Sequence, residues 1–180
     1  MTAPRAELPP ALDPARTALV LVDLMERIVA LPLEPYKGAE VLAVAEELAA
    51  SFRKAGALVV LVRVERPGVA EQPPGSGLAD GLLAEGDLEI VKRTTGGFQG
   101  TGLDERLREH GVSTLVFGGI ATNLGVESTA RAADDLGYGL VFVEDAMAAF
   151  TSAEHDASVR LDFPRFGTVV TAGEVRFSER

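Results

Sequence analysis

The sequence predicts an α/β protein: a three-layer α/β/α domain around a mostly parallel, six-stranded, Rossmann-like sheet. Three observations carry this. Six short runs rich in apolar and β-branched residues recur along the chain: TALVLVD, LVVLVRV, LEIVK, TLVFGG, GLVFVED and TVV. Stretches with helical spacing of apolar residues separate most of them. Most of the runs are apolar at successive rather than alternate positions, as strands covered on both faces are. Strands interleaved with helices in this way assemble into a parallel sheet with helices on both faces.

In chain order, residues 1–14 carry Pro4, Pro9, Pro10 and Pro14, which remove backbone donors and bias the preceding residues to extended conformations. An irregular N-terminal arm is expected there, with a single domain over 15–180. The first strand starts at Thr17. Residues 39–55 place Val41, Leu42, Ala45, Leu48, Ala49 and Phe52 on one helical face, and Gly56 follows as a stop. The remaining strands are expected at 58–64, 88–92, 114–119, 139–145 and 168–170. Residues 67–86, rich in Gly and Pro, form the one long irregular stretch, which reads either as a functional loop or as exposed slack.

Composition narrows the function classes. A chain of 180 residues that is 47% apolar suits one domain with its own core. It contains no cysteine, so disulfides, thiolate metal ligation and catalysis by a thiol of this chain are excluded. A net charge of -10 argues against nucleic acid, because phosphate neutralisation needs clustered Lys and Arg. No apolar run is long enough to span a bilayer and no leader pattern opens the chain, so a soluble, cytoplasmic protein without membrane contact is expected.

In an open parallel sheet, ligands bind beyond the carboxyl ends of the strands, near the point where strand order reverses. That rule selects Asp23, Glu65 and Arg66, Lys92 and Arg93, residues 119–125, and Asp145. The segment GGIATNLGVESTARAA reads as strand, tight turn and helix, with Thr122 or Asn123 as N-cap and Glu127 complementing the helix dipole. Its free N–H groups suit an anion or a developing oxyanion. Each feature also has a plain structural reading: an ordinary capped helix, a solvated strand-end carboxylate at Asp23, a surface ion pair at Lys92. Asp145, His110 and His155 read first as structural or solvated.

Three blocks, TALVLVDLMERI, EIVKRTTGGFQGTGLDERLREHGVSTLVFGGIATNLGVESTARAADDLGY and VFVEDAMAAFTSAEHDASV, together resemble the core signature of the isochorismatase-like hydrolase superfamily, in the right order and over most of the chain. The resemblance implies a catalytic triad of aspartate, lysine and cysteine, which falls on Asp23, Lys92 and Gly125. The third member is therefore glycine here, as in a bacterial subgroup that carries glycine within this NxGVESTAR context. The resemblance further implies a cis, non-proline peptide at Ile120–Ala121 that turns backbone donors toward the site.

Two departures matter. Met25 stands where a glutamine is common, and RVERP replaces the Asp-x-His of metal-binding relatives, so no metal and no cofactor are expected.

The expected chemistry is hydrolysis of a small anionic substrate without a cysteine. Asp23 is the expected general acid, Lys92 anchors the substrate or orients Asp23, and Gly125 makes room. Burial must raise the Asp23 pKa while a nearby ammonium lowers it. Ile120, Ala121, Asn123 and Phe98 are the expected substrate-binding residues; Arg93 and Gln99 read first as surface positions. The competing reading is a catalytically silent relative that binds a metabolite or acts as an oligomeric scaffold. Under either reading the resemblance implies a homo-oligomer, dimer or higher.

Overall fold

A computed structural model describes residues 11–179. Of the expected arm, residues 1–10 lie outside the described residues. Within 11–14, Leu12 bridges to Phe177 in parallel register, and Asp13 caps a short 3-10 turn, Pro14–Arg16, accepting from Ala15 N at 2.9 Å.

Six strands form one sheet: β1 (Thr17–Val22), β2 (Leu58–Val64), β3 (Leu88–Lys92), β4 (Thr114–Ile120), β5 (Gly139–Ala148) and β6 (Thr168–Val170). Their order is β3-β2-β1-β4-β5-β6, and every pairing is parallel. All six lie where the apolar runs predicted them. The helices are α1 (Glu26–Val29), α2 (Gly38–Ala55), α3 (Leu103–Glu109), α4 (Glu127–Asp135) and α5 (Ser152–Ala157). Gly56 ends α2 in the left-handed conformation at φ 77°, as its place after the periodic face predicts.

Successive residues of the central strands feed two separate cores. Ala18, Val20 and Val22 of β1, with Val60 and Val62 of β2, pack under α3 and α4. Leu19 and Leu21, with Val59 and Leu61, pack under Val41, Ala45, Leu48 and Phe52 of α2. Two buried faces per strand leave no position for a polar side chain, which is the physical cause of the unbroken apolar runs. On the first face, Phe142 stacks on Phe163 with ring centroids 3.9 Å apart.

The chain runs outward from β1 to β2 and β3, then returns to place β4 on the other side of β1. Strand order reverses at that β1–β4 seam, where Val22 pairs with Gly119. Gly119 has φ 124°, and a Cβ there would meet the Val22 carbonyl oxygen at 2.1 Å. Only glycine lets the two strand ends approach this closely.

Candidate active site

Asp23 follows the last residue of β1 and is the described non-glycine residue with positive φ, 54°. Its N–H donates to Val62 O at 2.7 Å, tying the turn to the end of β2. Aspartate tolerates the left-handed region better than branched residues do, and here the turn seats its carboxyl at the seam. Lys92 ends β3, two strands away, roughly 10 Å at usual strand spacing. Its long side chain bridges that gap: Nζ reaches Asp23 Oδ2 at 2.8 Å and donates to Thr95 O at 2.5 Å.

Both charged groups are buried, Lys92 at 2% and Asp23 at 7% exposure. Asp23 Oδ1 is buried and lacks a hydrogen-bond partner among the described residues. Burial pushes the Asp23 carboxyl above the ordinary carboxylate range, outweighing the downward pull of Lys92 and, more weakly, of Arg27. The competition anticipated from the sequence is thus won by desolvation.

The third wall comes from the far side of the seam. The Ile120–Ala121 peptide is cis, and the chain then enters a wide π-helical turn, Thr122–Val126, that runs straight into α4. Gly125 sits in this turn against the ion pair: a Cβ there would stand 3.1 Å from Asp23 Oδ2, Lys92 Nζ and Val22 Cγ1. Ala121 O accepts from Leu124 N and Val126 N, which closes the turn.

These residues line one cavity of about 480 Å³, open to solvent. Asp23, Lys92, Gly125, Ile120 and Ala121 meet there, as expected from the sequence. Asn123 and Phe98 do not line it. Phe98 packs instead on the α3–α4 core beside Tyr138, because Gly97 N is bound to Thr129 Oγ1 at 2.9 Å and draws this segment onto α4. Asn123 falls on another side of the helical turn from Ala121, Leu124 and Gly125, and its Oδ1 is buried without a partner among the described residues.

The expected side-chain N-cap is also corrected. Ala121 occupies that position without a side-chain bond, and the Thr122 hydroxyl instead meets His155 Nδ1 at 2.8 Å. His155 is buried, with Tyr36 edge-on to its ring, and burial holds its pKa below the ordinary imidazole value. Asp145 is structural, accepting from Ala172 N at 2.7 Å. Met25 is fully buried and bridges to Leu78 of the long 67–86 loop. Gln99 lies outside the cavity, whereas Arg93 lines it while pairing with Glu65 at 3.1 Å.

Sequence reasoning missed Arg27, Leu31 and Phe150, all in the lining, which also includes Leu124 from the selected 119–125 segment. Arg27 is the second residue of α1 and Asp23 lies outside that helix with φ 54°, so no helical spacing links the two in the sequence. Leu31 and Phe150 come together with it only through the fold. Among the described residues, no group of three or more His, Cys, Asp or Glu is placed to hold a metal ion, and no helix is long and apolar enough to cross a membrane.

Comparison with known proteins places this architecture. The isochorismatase domain family matches residues 17–174. The uncharacterized isochorismatase family protein YecD of Escherichia coli is 38% identical over 181 residues, covering 91% of this chain and 96% of YecD. An isochorismatase family protein from Burkholderia thailandensis superposes with a TM-score of 0.84 at 36% identity, over 92% of this chain and 96% of that one. The N-carbamoylsarcosine amidase from Thermoplasma acidophilum does so at 0.76 and 28%, over 89% and 98%. The chain belongs to the isochorismatase family, within the isochorismatase-like hydrolase superfamily that its sequence resembles.

Proposed function

We propose that this protein is a hydrolase for a small anionic substrate that works without a cysteine, by acid assistance from Asp23. The observation that carries the reading is the Asp23–Lys92 pair at the floor of an open cavity, its carboxyl pushed up by burial. A carboxyl that burial lets hold its proton above the ordinary carboxylate range is suited to donate it. Lys92 fixes the orientation of Asp23 through Oδ2, and its remaining N–H is available to a substrate oxygen. Gly125 stands at the position the family gives to cysteine and leaves that space to substrate or water. The N–H groups at Ala121 and Gly125 serve a carboxylate or an oxyanion.

The name of the amidase relative denotes amide chemistry, but an acyl-enzyme needs a nucleophilic side chain, and this chain has no thiol. The family resemblance supplies the most concrete candidate, a vinyl ether of the isochorismate type, which an acid can open without a nucleophilic side chain. Asp23 transfers its proton to the methylene carbon. Water adds to the resulting oxocarbenium carbon, and the hemiketal collapses to a keto acid and an alcohol while the proton returns to Asp23. The alternative, a silent metabolite-binding or scaffolding relative, draws support from the absent thiol.

Turnover of isochorismate, small amides and ring-bearing carboxylic acids by the purified protein, beside Asp23→Ala and Lys92→Ala, tests the reading. Hydrolysis that both variants abolish supports it. No hydrolysis across the panel, with metabolite binding intact, favours the silent relative.

A further inference from the structure

Six charged side chains line the cavity: Asp23 and Glu65 against Arg27, Arg66, Lys92 and Arg93. A surplus of cations at this point, on a protein of net charge -10, concentrates the attraction for an anion there. These cations are not equivalent. Lys92 is committed to Asp23 and Thr95, and Arg93 is paired with Glu65. Arg66 is exposed. Arg27 alone of the three arginines is half-buried, and it has no carboxylate partner among the described residues.

Arg27 is also held in place from the loop. Its backbone N–H donates to Gly75 O at 3.0 Å, and its Nε donates to Oγ of the buried Ser76 at 3.2 Å. Gly75 has φ 72°, and a Cβ there would press on Arg27 N and Cβ at 3.1 Å. Glycine is thus required on both conformational and steric grounds for the loop to close onto this residue. With Nε engaged, the four N–H groups of the two terminal nitrogens remain, a planar fork that matches a carboxylate.

We propose that Arg27, clamped by Gly75 and Ser76 of the 67–86 loop, is the specificity-determining residue of the cavity and binds the carboxylate of a small organic acid with an apolar body. This rests on the reading of the cavity as a substrate site. The apolar body is argued from Leu31, Leu124 and Phe150, which line the same cavity and are 38%, 46% and 47% exposed. The 67–86 loop therefore acts on specificity through Arg27, while Lys92 orients Asp23 and has one N–H left for a substrate oxygen.

Calorimetric titration of the full chain with benzoate and with benzamide, a neutral isostere, reads this directly. Benzoate should bind at least about tenfold more tightly than benzamide, the scale of one charge-assisted bond. Arg27→Gln should bring benzoate down to the level of benzamide without changing benzamide. Ser76→Ala, which keeps the guanidinium and removes its clamp, should weaken benzoate severalfold, and this checks the inference if Arg27→Gln folds poorly. Equal affinity for the two probes, no benzoate binding, or unchanged benzoate affinity in both variants would overturn it. The readout is independent of turnover: benzoate selection lost in Arg27→Gln, with no hydrolysis of any substrate, would sink the hydrolase reading and uphold Arg27. Hydrolysis with selection unchanged in both variants would do the reverse.

Discussion

Lys92 Nζ and Asp23 Oδ2 meet at 2.8 Å across two strand spacings, both side chains nearly closed to solvent. A buried pair of this kind gains little net stability when intact, yet breaking one side leaves an uncompensated charge. Lys92→Met is therefore expected to destabilise the fold by about 3 kcal/mol, at the low end for a broken buried pair because Asp23 can take up a proton. Chemical denaturation at neutral pH measures this. A loss within error of zero would show that water reaches the pair.

Asp23→Asn should remove turnover by about a hundredfold or more, the usual contribution of a positioned general acid. It preserves shape, so steady-state kinetics beside a thermal melt separate chemistry from folding. Full activity in a folded Asp23→Asn protein would remove Asp23 from the mechanism.

The pH dependence follows from the sign of the Asp23 shift. Burial raises its pKa, so the acid form persists above the ordinary carboxylate range and is lost as pH rises further. Activity should accordingly fall with increasing pH, with a midpoint above that of an exposed aspartate. A rate that climbs over the same range would point to a carboxylate acting as base.

Gly125→Cys places a single thiol in a chain that has no other. The new Cβ would stand 3.1 Å from both Lys92 Nζ and Asp23 Oδ2; with Asp23 acting as the protonated acid, the ammonium should favour the thiolate, and iodoacetamide should modify it roughly tenfold faster than free cysteine at neutral pH. Lys92→Met in the same background should remove most of that advantage. A thiol no faster than free cysteine would separate Gly125 from the ion pair.

His155 supplies a stability prediction away from the chemistry. Burial depresses its pKa, with Asp156 pulling upward and Arg160 downward. The unfolded chain then binds the proton more readily, so stability is fully present above the unfolded value of about 6.5 and declines as pH falls below it. Replacing His155 by Asn should flatten that part of the profile, measured by denaturant midpoints between pH 7 and 5.

Residues of a two-sided sheet are apolar at most successive positions, so the six strands and the face of α2 are legible without coordinates. So too are the strand-end positions Asp23 and Lys92, because their placement follows from local pattern plus the topology of parallel sheets. Asn123 and Phe98 fall outside the cavity for a related reason. Proximity in sequence to the turn says nothing about which side of a π-helical turn a residue occupies, or which way a glycine segment is drawn by Thr129.

What the sequence by itself determined is the fold, its strand ends and the absence of a thiol, since these depend on residue type and short-range periodicity. Only the tertiary structure decided which charged residues share a cavity, how burial outweighs Lys92 at Asp23, and that a distant loop grips Arg27 through Gly75 and Ser76. Those outcomes depend on distances between segments far apart in the chain and on the water excluded between them, and neither quantity is written in local sequence.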